Sequence, residues 1–218
     1  MIGKDIPPRM VLLGYAGGLG SGMIASIYGE ELKAVYCGRY IDSLLAKYQK
    51  GQSLLMWRSP WYHARDREYA RSPKEALALL EDRGGLVISL GRGGVLGGLY
   101  RFAKEWDLGF RLKIKAVRVL QVSVEICQYF GLNIYSLYTD AVLVCCRDTA
   151  ETLDIVEGAG MAGSYVGDLT WERAKSIVDK ERIESVNPVK TDEIQRVVPE
   201  IFALGEDGSM GMSGGLFF

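Results

Sequence analysis

Along the chain, apolar positions come in short blocks set off by glycine, and the spacing inside the blocks switches between that of a strand and that of a helix. Residues 10–13 are uniformly apolar and follow Pro7 and Pro8, the pattern of a buried strand. Glycines crowd the next stretch, from Gly14 to Gly22. Helical spacing then runs over 23–36 and again over 40–48, until Gly51. Ser72, Pro73 and Glu75 make a helix start: a capping hydroxyl, a first-turn proline and a carboxylate three residues on. That helix continues over 76–81 and stops at Gly84 and Gly85, before a short apolar strand at 86–90. A second glycine turn, Gly91-Arg92-Gly93-Gly94, opens a helix over 95–106, in which Val95, Leu99, Phe102, Ala103 and Trp106 fall at helical spacing.

Farther along, Phe110, Leu112 and Ile114 alternate with basic residues, which predicts a half-exposed strand. A helix over 119–130 ends at Gly131, and a short linker element follows at 132–137. Then come a strand at 141–146, a helix at 149–159 and a strand at 164–169. Residues 171–183 read as mixed helix and strand, and 191–202 as a last helix. Strands and helices that alternate in this way define an α/β (α+β) layered domain. One such domain is expected over 1–204, with an aromatic and basic excursion at 52–72 and a Gly/Met/Ser-rich tail at 205–218.

Charge changes the picture by exclusion. With 26 basic and 27 acidic residues the net charge is −1, so no global excess draws the chain to nucleic acid or to an anionic membrane. The composition, 48% hydrophobic, is too apolar for a disordered chain. Apolar runs such as 141–146 break at Arg147, far short of the ~20 residues that span a bilayer. The first eight residues have no apolar signal core. Cys37, Cys127, Cys145 and Cys146 lack metal-ligand spacing, and adjacent Cys145 and Cys146 point to opposite faces of a strand. They are expected as buried, reduced thiols in a cytoplasmic protein, with no metal. His63 is the sole histidine and sits in a charged segment beside Pro60, a poor setting for a catalytic triad.

Two features remain that carry chemistry. In the excursion, Trp57, Trp61, Tyr62 and Tyr69 interleave with arginines. Such a segment can stack bases and pair phosphates, which would make 57–71 a nucleic-acid-binding module, but Asp66 and Glu68 dilute it. The favoured reading is an aromatic cover for the domain, in cis or across a homodimer. The other feature is the pair of glycine turns between strand and helix. Gly18, Gly20 and Gly22 in the first, and Arg92, Gly93, Gly94 and Val95 in the second, can aim N–H groups and a helix N-terminus at a phosphate. The first turn lacks the G-x-G-x-x-G spacing, and no Gly-Lys-Ser/Thr follows it. The competing reading is that the glycines serve tight turns and close helix–sheet packing.

Residues 89–170 resemble the C-terminal domain of the aminoimidazole ribonucleotide (AIR) synthase-related superfamily, above all its hydrogenase-maturation E-type branch. Arg92-Gly93-Gly94-Val95-Leu96-Gly97-Gly98-Leu99 resembles the family's strand-to-helix Gly-Gly motif, and Trp106-Asp107-Leu108-Gly109-Phe110 its step into the next strand. The stretch 124–135, with Glu125-Ile126-Cys127 and Gly131-Leu132-Asn133, resembles a third motif, 161–170 the closing strand, and 14–31 the entry segment.

This resemblance implies a mixed β-sheet with helices packed mainly on one face, and ATP-dependent activation of a carbonyl or amide oxygen. It also implies a second, N-terminal domain carrying the nucleotide and magnesium ligands, for which only nine residues precede the first strand. Ser89 stands where relatives have a polar, often carboxylate-bearing pair, Thr139-Asp140-Ala141 lacks a family glycine, and no cysteine follows Cys146. The resulting expectation is a divergent stand-alone domain, non-catalytic by itself, in binding or assembly. It would retain a vestigial phosphate site, need no cofactor and engage ATP only with a partner domain. The alternative is one subunit of a split ATP-dependent enzyme, with a separate nucleotide-binding subunit.

Overall fold

The structure, a computed structural model, describes residues 8–49, 71–180 and 182–202. Trp57, Trp61, Tyr62 and Tyr69, and the tail at 205–218, lie outside the described residues. Seven strands form one mixed sheet: β1 (Arg9–Leu13), β2 (Leu86–Gly91), β3 (Gly109–Leu112), β4 (Thr139–Cys146), β5 (Gly163–Thr170), β6 (Lys175–Asp179) and β7 (Arg182–Ser185), in the order β2-β4-β1-β5-β3-β6-β7. Every pairing is antiparallel except β3 with β6. The helices are α1 (Gly18–Val35), α2 (Gly38–Gln49), α3 (Pro73–Asp82), α4 (Gly94–Glu105), α5 (Gln121–Phe130) and α6 (Thr149–Gly158). Among the described residues no helix is long and apolar enough to cross a membrane.

Why residues 10–13 are apolar without alternation is clear from their position. β1 lies in the interior of the sheet and is covered on both faces. Met10 and Leu12 pack with Leu143, Cys145, Phe110 and the α4 residues Leu99 and Phe102. Val11 and Leu13 point the other way, toward Val142, Val144 and Cys146, Leu77 and Leu80 of α3, and Val156 of α6. Cys145 and Cys146 thus enter opposite cores, as their adjacency predicts. Cys37, in contrast, is exposed. A third cluster joins α1, α2 and α5 through Ile24, Leu32, Leu44 and Ile126.

The α/β class and the mixed sheet are those expected, but the helices are shared between faces, α3 and α6 on one and α4 on the other. The helix start at Ser72 forms a full capping box, with the Ser72 hydroxyl accepting from the Glu75 N–H and the Ser72 N–H donating to the Glu75 carboxylate at 2.7 Å. Three elements differ from the sequence pattern. α1 begins at Gly18, five residues early, because Gly17 takes a left-handed φ of 65° and starts the helix directly from the turn. The described residues of 171–183 hold no helix. β6 and β7 form a hairpin there, turned at Lys180 with φ 54°. Residues 191–202 hold only a 3-10 turn, Glu193–Arg196. Asp192 caps that turn, and Pro199, which has no N–H and crowds the carbonyl four residues back, keeps it from lengthening.

Candidate functional site

The two glycine turns meet, but what they meet around is peptide. The segment 134–139, a 3-10 turn (Ile134–Ser136) running into β4, passes between them. A Cβ on Gly94 would sit 2.6 Å from the carbonyl oxygens of both Tyr135 and Leu137. One on Gly20 would sit 2.7 Å from Leu137 Cγ, and one on Gly17 2.9 Å from the Ile134 carbonyl oxygen. The Gly20 N–H donates to the Tyr138 carbonyl at 2.8 Å. Gly18 and Gly22 are buried inside α1, and Gly22 leaves room for the Tyr48 ring. Gly17 and Gly94 leave room for backbone carbonyls, and Gly20 and Gly22 for the Leu137 and Tyr48 side chains.

The second turn holds an anion, and it is the chain's own. Asp192 is buried, 5% exposed, and its carboxylate joins three segments. Oδ2 accepts from the Gly93 N–H at 2.6 Å, and Oδ1 accepts from the N–H groups of Tyr138 and Ile194, both at 3.0 Å. Burial pushes this carboxyl above its ordinary value, against the pull of its N–H donors. Val189 packs beside Gly93 and Gly97, so the strap over 189–192 covers the start of α4. The helical reading of 191–202 passed over Asp192. Its signal was the Asx-turn chemistry of an Asp two residues before Ile194.

Arg92 does not join that anion. It is exposed, and its guanidinium lies 3.9 Å from the ring centroid of Phe202, which packs edge-on against Tyr138. Val95 is buried in the core under α4. Arg101, whose Nη1 would lie 3.4 Å from a Cβ on Gly93, donates to the Leu90 carbonyl at 2.8 Å. A phosphate oxygen placed to accept from Gly93 would fall on Asp192 Oδ2. A cavity of about 370 Å³ lies elsewhere, where Arg83 and Glu151 pair at 2.7 Å beside Cys146, Arg147 and Asp148. Among the described residues no three His, Cys, Asp or Glu side chains group as metal ligands.

The fold is shared with solved hydrogenase maturation proteins. The chain matches E. coli HypE, a hydrogenase maturation protein, with a TM-score of 0.60 and 14% identity, over 88% of this chain and 53% of that one. It matches the HypE–HypF complex with a TM-score of 0.57 and 15% identity, over 84% of this chain and 53% of that one. For HypE in complex with ATP the values are 0.56 and 11%, over 87% of this chain and 53% of that one. The likeness is one of fold, and the chain spans about half the length of these proteins. Neither a family model nor a curated protein matches the sequence.

Proposed function

We propose that the chain is a divergent AIR synthase-related domain of the C-terminal type that works in assembly, as a docking unit for another protein, and performs no ATP chemistry by itself. The observation that carries this reading is the Asp192 carboxylate on the Gly93 N–H. The strand–glycine–helix geometry suited to a phosphate is used here as an internal fastening between α4, β4 and the strap. Both turns also close on the segment 134–139 rather than on open space. A protein of the same fold, HypE, is solved in a complex with HypF, which supports a docking role for such a fold.

The test is phosphate release from Mg-ATP by the purified full chain. The expected rate is that of the buffer alone. Turnover that survives purification and is lost in Arg92→Ala would overturn the reading. Turnover that arises only when a separate nucleotide-binding domain is added would replace it with the split-enzyme reading.

A further inference from the structure

Among the described residues, the sheet face that carries Arg9 is covered only in part. α6 packs over its Leu13 and Gly163 end, where Leu153 and Val156 come within 3.0 Å of the place a Gly163 Cβ would occupy. At the other end the strands expose a row of charge. Arg9 and Arg111 both lie directly opposite Asp168, one from each neighbouring strand, and Ser176 lies opposite Arg111 on β6. Residues directly opposite share a face, so these side chains stand on one surface. Val178, two residues on from Ser176, and its partner Ile183 stand there too, while Ile177 between them packs into the opposite core. Arg9, Arg111 and Lys113 are all exposed, and Ile183 is 67% exposed.

The carboxylate in this row is already engaged. Both oxygens of Asp168 lie 2.8 Å from the Tyr165 hydroxyl, which donates to them, and the Lys113 ammonium lies 4.4 Å over the Tyr165 ring. Among the described residues neither Arg9 nor Arg111 has a carboxylate at ion-pair distance. Three cations therefore stand on the surface that carries one carboxylate, and among the described residues two of them have no carboxylate partner. Their strands are two spacings apart, so the backbones under them are separated by roughly 10 Å.

We infer that this surface docks an acidic segment of a partner protein, with carboxylates for Arg9 and Arg111 and an apolar side chain for Ile183. The inference rests on the assembly reading above and names the chemistry of the partner. Guanidinium groups match carboxylates two bonds at a time, and the apolar strip at Val178 and Ile183 needs a hydrocarbon neighbour that an acidic peptide can supply. A nucleic acid fits less well. Tyr165, the ring at the centre of the row, is covered by Lys113 and tied by its hydroxyl, so it offers no platform for a base.

The experiment uses the full chain and a short fluorescein-labelled peptide of glutamate and leucine, followed by anisotropy. Saturable binding that weakens with salt is expected. The double variant Arg9→Ala/Arg111→Ala should weaken it about tenfold or more, and Ile183→Ser severalfold. All three positions are exposed, and amide shifts in the wild type at Arg111, Lys113, Ser176 and Ile183 locate the contact should a variant misfold. Unchanged binding in the double variant, absent binding, or shifts confined to other elements would overturn the inference. A thymidine oligonucleotide bound as tightly, with the same arginine dependence, would overturn it in favour of a nucleic-acid surface. Loss of the peptide result without ATP turnover leaves the assembly reading standing, and ATP turnover removes that reading whatever the peptide does.

Discussion

Replacing Asp192 by alanine tests whether the strap is fastened as described. The carboxylate is 5% exposed and satisfies three N–H groups, at 2.6, 3.0 and 3.0 Å. Removing it leaves Gly93, Tyr138 and Ile194 without their acceptor. Each buried donor left unmade costs about 1–3 kcal/mol, and water entering the vacated space recovers part of that. The expected loss is about 3–5 kcal/mol, a large share of the ~5–15 kcal/mol that holds a domain together. At about 2–4 °C per kcal/mol for a domain of this size, Tm should fall by roughly 6–20 °C. Asp192→Asn separates the contributions. Its amide oxygen can keep Tyr138 and Ile194, but its NH2 group then faces the Gly93 N–H, so about 1–3 kcal/mol should be lost. Urea unfolding followed by circular dichroism gives both values, provided the slope with urea is unchanged. A loss below about 1 kcal/mol in the alanine variant, or a larger loss in the asparagine variant, would refute the account.

The same carboxyl sets a pH dependence. Its folded-state pKa is raised by burial, so the native state keeps this proton where the unfolded chain has released it. The contribution is therefore present below the unfolded value and is lost as pH rises through the folded one. A stability profile of wild type minus Asp192→Asn should slope downward with pH in that acid window, and a rising slope would contradict it. Gly94→Ala should cost about 3 kcal/mol or more in urea, since its Cβ would meet two carbonyl oxygens at 2.6 Å and its φ is 62°. Gly131→Asn, at φ 63° with open space around it, should cost less than about 1 kcal/mol. Among the thiols, native protein should react quickly with Ellman's reagent at exposed Cys37. Cys127 and Cys145, each buried and pushed up to about 12, should react only after unfolding, and fast labelling of either would contradict their burial.

What was legible in the sequence follows from how local its causes are. The capping box at Ser72 and the helix stop at Gly131 rest on residues a few positions apart, and both form as read. The opposite facing of Cys145 and Cys146 needs only strand geometry. The glycine turns were found but not their use. Whether Gly20 and Gly94 face a ligand or a peptide depends on residues 134–139, far from the first turn and well beyond the second. Asp192 escaped notice because the N–H groups it serves at Gly93 and Tyr138 lie 99 and 54 residues away. The meeting of two arginines on one face was hidden for a related reason. Arg9 and Arg111 become neighbours of one aspartate only once three strands are in register.

The place of β1 in the sheet bears on how the chain is made. It is the first of the described strands and an inner one in the sheet, and both its neighbours, β4 and β5, come more than a hundred residues later. A ribosome adding about 5–20 residues each second needs roughly 10–30 s to deliver them. Through that interval this apolar strand has both edges unpaired. Such strand edges are templates for pairing with other chains. Nascent chains that hold β1 but not yet β4 and β5 should therefore be clients of ribosome-associated chaperones, and refolding in vitro should lose yield steeply as concentration rises.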